Sequence, residues 1–114
     1  MEAGYLAIGS CVGVAILVIC LAIPLLQEKI KRNNWYGFRT PRTLSSDEIW
    51  YPVNKESAKY MIGAGILIML SGIALFFLKD TIAPNILVII SVVLTMFCLI
   101  GAVIKSFMFL SKFK

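Results

Sequence analysis

The stretch "YLAIGSCVGVAILVICLAIPLL", residues 5–26, carries no charged side chain, and it decides which solvent this chain folds in. A hydrocarbon core about 30 Å thick needs roughly 20 apolar residues in a helix that rises 1.5 Å per residue. This run is long enough. Working outward from it, residues 60–78 and 86–104 form two more uncharged runs of spanning length. Over the 114 residues, 60% are hydrophobic and 15% charged, with a mean hydropathy of +0.90. An ordinary soluble domain is about 25% charged. A soluble chain this small lacks the interior to hide so much apolar surface. The expected fold is therefore an all-α membrane protein. It is a single domain of three transmembrane helices, with spans at residues 5–26, 60–78 and 84–106 and a loop over residues 27–59.

The first run differs from a cleaved signal peptide. Glu2 is the only charge before it, it exceeds the usual apolar core of about 7–15 residues, and no A-x-A site precedes the basic stretch that follows. It is expected to stay as a helix. Orientation follows from the cations. Lys29, Lys31, Arg32, Arg39, Arg42, Lys55 and Lys59 lie in the long loop, and Lys105, Lys112 and Lys114 follow the third run. The short connection holds only Lys79, beside Asp80. Cation-rich segments stay in the cytoplasm. The expectation is a multi-pass plasma-membrane protein with its N-terminus outside and its loop and C-terminus inside. The net charge of +5 thus reports topology. Nucleic acid is not an expected partner, because no separate basic domain exists.

Cys11 and Cys20 fall in the first span and Cys98 in the third. On one helix the first two stand about 13–14 Å apart, too far for a disulfide. The chain has no His and no C-x-x-C, so neither metal nor cofactor is expected. Helices in lipid associate through small residues and a few hydrogen bonds. The candidate contact stripes are Gly9 and Gly13 with Cys20 and Pro24 in the first span, and Ala58, Gly65 and Gly72 in the second. In the third they are Ser91, Thr95, Cys98 and Ala102. Whether these stripes pack one monomer or build a homo-oligomer stays open at this level.

Between the first two runs lies "NNWYGFRTPRTLSSDEIW", residues 33–50, the one long water-facing block. Thr40 precedes Pro41 and is steered away from helix. Gly37 suits a turn. Residues 33–44 should form an ordered, mostly non-helical loop. Ser45 to Glu48 read as a capping box, with Ser45 at the N-cap and Glu48 at N3. A short helix through Trp50 should end or kink at Pro52. Asn54 is then placed to cap the helix entering the second span. Trp35, Tyr36, Phe38, Trp50 and Tyr51 suit the headgroup level. Trp35 and Trp50 are both expected to stabilise the fold.

Asn33, the run Trp35 to Leu44, Trp50 with Tyr51, and Asn54 resemble the signature of the SdpI/YfhL family of bacterial integral membrane proteins. The likeness is specific over the loop, and beyond it only the apolar spans correspond. It implies a helical membrane protein of the immunity and signalling type. The family's namesake protects its producing cell against a secreted killing peptide and acts through a repressor. It carries further N-terminal spans, so this chain looks like the C-terminal module alone. Pro52 departs from the family pattern.

The candidate binding residues are Asn33, Trp35, Tyr36, Gly37, Arg39, Thr40, Arg42, Thr43, Trp50 and Asn54. Arg39 and Arg42 offer planar forks that suit phosphate or carboxylate. Two roles stay open for Arg39: holding an anionic headgroup or peptide, or pinning the loop by pairing with Asp47 or Glu48. The family pattern includes Arg39 and not Arg42, so lysine is expected to impair at 39 and be silent at 42. The expected partners are membrane lipids with anionic headgroups, a peptide toxin or a regulatory membrane protein, and a second copy of the chain. The expected function is non-enzymatic immunity or signalling against membrane-active peptides. The alternative is a small oligomeric transporter or channel. An enzyme acting on lipids is the weakest reading, because no span holds a His or paired carboxylates.

Overall fold

The computed structural model describes residues 2–113, with residues 2–4 placed by backbone alone. Among the described residues the chain is all-helical: α1 (Glu2–Leu26), a 3-10 turn (Thr43–Ser45), α2 (Asp47–Leu78) and α3 (Pro84–Leu110). Three helices are long and apolar enough to cross a membrane. α2 packs against both α1 and α3, and α1 also touches α3.

α1 ends where Glu28 takes φ 59°, with Lys29 N–H donating to Pro24 C=O and Glu28 N–H to Leu25 C=O. This closing loop satisfies carbonyls that the last turn leaves free, and it turns the chain into the motif loop. α3 begins with Pro84 in its first turn, where a missing N–H costs nothing.

The expected break at Pro52 does not occur. α2 runs without interruption for 32 residues, about 48 Å, and matches the long axis of the molecule at 51 Å. Pro52 removes only the bond to the Glu48 carbonyl, and Glu48 is exposed, so water can serve that group. The separate short helix is thus the first turns of α2. The cap also shifts by one residue. Ser46, not Ser45, is the N-cap, and its hydroxyl accepts from Ile49 N–H at 3.3 Å. Ser45 belongs to the 3-10 turn. Asp47 and Glu48 occupy the first turn, where the helix dipole favours acids. The helix exceeds a membrane core by roughly 18 Å. Its surplus is the charged N-terminal part that carries the loop.

Close helix contacts rest largely on small residues, as association within lipid favours, with Ile68, Leu75 and Leu87 buried among them. Among the described side chains of α1, Ala7, Cys11, Ala15 and Ala22 are buried, while Leu6, Phe77 and Phe97 point out. Gly65 and Gly72 are the notches on α2. An added methyl would come within 2.6 Å of Ile19 Cγ1 at Gly65, and within 2.9 Å of Cys11 Cβ at Gly72. Gly9 and Gly13, expected to pack α1, face away instead, with nothing within 4 Å of a built Cβ. Cys20 is exposed too. α1 fills the α2 notches with Ile19 at Gly65 and Cys11 at Gly72. On α3, Ser91 and Ala102 are buried, and Thr95 Oγ1 lies 4.0 Å from Cys11 Sγ. Ser106 donates to Ser57 at 2.8 Å, a buried link between α3 and α2.

Candidate functional site

The motif loop folds back over one end of the helices and is held by its own signature residues. Asn33 Oδ1 accepts from Trp35 N–H at 2.9 Å and from Tyr36 N–H at 2.6 Å, while its amide donates to Lys31 C=O. This Asx turn lets a side chain stand in for a backbone turn. Tyr36 OH donates to Leu21 C=O and ties the loop to α1.

Gly37 sits at φ 106°, a conformation L side chains rarely adopt. A Cβ there would lie 2.7 Å from Asn54 Oδ1 and 3.3 Å from the Trp50 ring. Asn54 is therefore not a helix cap. It is buried inside α2 and acts as a clasp. Its Oδ1 accepts from Phe38 N–H at 2.6 Å, and its Nδ2 donates to Phe38 C=O at 3.3 Å and to Trp50 C=O at 3.0 Å. Trp50 is fully buried, and its indole donates to Ile30 C=O at 2.8 Å. Thr43 is fully buried as well. Its hydroxyl accepts from Thr40 N–H at 2.7 Å, and Thr40 Oγ1 accepts from Thr43 N–H at 3.1 Å. The two threonines lock the turn around Pro41. Every buried side-chain N or O among the described residues has a partner.

The arginines divide differently from the expected pairing. Arg32, not Arg39, forms the ion pair with Asp47, at 2.8 Å. Arg39 stays exposed, and its guanidinium donates to Asn34 C=O. Arg42 reaches the end of α3, donating to Leu110 C=O at 3.3 Å and to Phe113 C=O. Phe38 meets Phe107 of α3 edge to face at 4.9 Å. Lysine has no fork to span two carbonyls. Arg42→Lys is therefore expected to lower unfolding free energy by about 1–2 kcal/mol, with Arg39→Lys near the parent. Melting of both variants in detergent checks this, and equal melting at the parental temperature would refute it.

The two tryptophans also part. Trp35 is 82% exposed and projects outward, against the expectation that both rings anchor the fold. Beneath Trp35 to Phe38 lies an open-sided apolar groove of about 370 Å³. Its walls are Val18, Leu21, Ala22 and Leu25 of α1, Ser57, Ala58 and Met61 of α2, and Val103 of α3. Asn33, Gly37, Thr40, Thr43, Trp50 and Asn54 thus build the loop, while Trp35 and Arg39 are its outward groups. Gly9, Gly13, Gly65, Gly72, Ser91 and Thr95 lie outside it. The groove was not legible in the sequence, because its walls are ordinary Leu, Ala and Val. Among the described residues no group of three His, Cys, Asp or Glu side chains gathers as a metal site.

Three long apolar helices capped by this loop define a multi-pass helical membrane protein. Residues 29–106 match the model of the SdpI/YfhL protein family, which covers nearly all of the loop, all of α2 and most of α3, and the chain belongs to that family. No curated protein and no solved structure matches it.

Proposed function

We propose that this family member is a non-enzymatic membrane protein of the immunity and signalling type, which protects against or responds to membrane-active peptides. The observation that carries the proposal is the apolar groove roofed by the motif loop, with the exposed Trp35 in its lining and the exposed Arg39 next in the chain after its lining residue Phe38. An amphipathic peptide presents an apolar face to such a groove, and Trp and Arg are the residues that most often dominate contacts of this kind. Anionic lipid headgroups are the competing occupants of Arg39.

Deletion of the gene is expected to sensitise cells to membrane-active peptides from neighbouring strains. Complementation with Trp35→Ala or Arg39→Ala should fail to restore resistance although both proteins melt with the parent, because neither side chain is buried. Full resistance from both variants would remove Trp35 and Arg39 from the function.

The proposed placement is the plasma membrane, with the N-terminus outside and the loop and C-terminus in the cytoplasm. It rests on the excess of Lys and Arg in the loop and tail. In a cysteine-free background, an impermeant thiol reagent added to cells should label Thr81→Cys and spare Asn34→Cys; both positions are exposed. Labelling at 34 from outside would invert the topology.

A further inference from the structure

We propose that a second groove, between α2 and α3, holds one acyl chain of an anionic phospholipid from the loop-side leaflet, with Lys105 at the headgroup. This trough of about 550 Å³ shares no lining residue with the groove beneath the motif loop. It exists because Gly63 on α2 and Gly101 on α3 present no side chain, and a Cβ on either would meet nothing within 4 Å.

Its polarity is graded along the helices. Lys105 and Tyr60 stand at the end nearest the motif loop, with the Lys105 ammonium 5.7 Å from the Tyr60 ring centre. Ala102, Cys98 and Phe97 continue the α3 wall away from that end. From Lys105 to Phe97 the rise is about 12 Å, close to the depth of one leaflet in a core about 30 Å thick. An aromatic ring and a snorkelling lysine above an apolar trough match a lipid, which has its charge above and its chain below.

Charge selects the kind of lipid. Among the described residues no carboxylate lies within ion-pair distance of Lys105; the nearby Glu56, one turn before Tyr60 and beside its side chain, is paired with Lys59 at 3.4 Å. The cation is free for a phosphate-bearing headgroup of net negative charge. A second copy of this chain fits less well, because its three apolar runs carry no carboxylate to meet Lys105.

The test is native mass spectrometry of the delipidated full chain in detergent, given equal phosphatidylglycerol and phosphatidylcholine. The parent should retain phosphatidylglycerol preferentially. Lys105→Gln should cut that preference about fivefold, the effect of one cation near a charged headgroup. Gly101→Leu and Gly63→Leu fill the trough and should abolish retention of both lipids, with unchanged melting in lipid-free detergent. The proposal is overturned if the parent shows no preference, or if both leucine variants retain phosphatidylglycerol as the parent does. It is also overturned if the leucine variants instead dissolve a dimer, which would make the trough an interface between copies. Should Gly101→Leu melt early, Gly63→Leu and Lys105→Gln decide by the same criteria.

Discussion

Trp50→Ala is expected to lower the unfolding free energy by about 3–5 kcal/mol, the usual cost of truncating a buried aromatic to alanine. The ring is fully buried where the loop, α1 and α2 meet. Its removal leaves a cavity and also strands the Ile30 carbonyl, which accepts the indole N–H. That bond holds the chain leaving α1 against α2, so the loop should loosen as a unit. Trp50→Phe separates the two effects: it keeps most of the ring volume and loses the donor, and should cost about 1–3 kcal/mol. Thermal melting in detergent, together with protease sensitivity of the loop, measures both. If Trp50→Ala melts within a degree of the parent, the loop does not depend on this ring and the packing described above is wrong. Trp35→Ala is the control, since its ring touches the groove but is not buried.

Gly37→Ala is the second large effect. Positive φ alone costs an L residue about 1–2 kcal/mol. The new methyl would also fall 2.7 Å from Asn54 Oδ1, too close for any Cβ, and the clasp would have to open. Phe38 N–H and C=O would then lose their partner. The expected loss is about 2–4 kcal/mol, combining backbone strain with an unmade buried hydrogen bond. Asn54→Ala should give a loss of the same order without the strain. The double variant should cost less than the sum, because both changes open one clasp. Full additivity would mean the two residues act separately. Loss of peptide resistance in Gly37→Ala would follow from loss of the loop and would not by itself implicate a binding contact.

How far the motif was legible varies residue by residue. Asn33, Gly37 and the Thr40–Thr43 pair act over a few residues, so their turn chemistry could be read locally. Asn54 could not be read this way. Its partner Phe38 lies sixteen residues away, and in sequence an Asn after Pro52 looks like a cap. Arg39 and Arg42 look alike on either side of Pro41. They differ only because α3 brings the carbonyls of Leu110 and Phe113 to one of them. The same holds for Trp35 and Trp50, equally aromatic in sequence and opposite in burial.

The sequence by itself determined the all-helical class, the three long apolar helices and the acidic start of α2. Each of these is set by local composition, by length against the membrane core, or by residues within one turn. Only the tertiary structure decided that Pro52 lies inside a continuous helix, and that Gly65 and Gly72 pack while Gly9 and Gly13 face away. It alone also decided which arginine and which tryptophan hold the loop. Those outcomes depend on the rotation of each helix about its own axis and on which helix stands opposite. Apolar runs with little periodicity leave that rotation undetermined until the helices pack against one another.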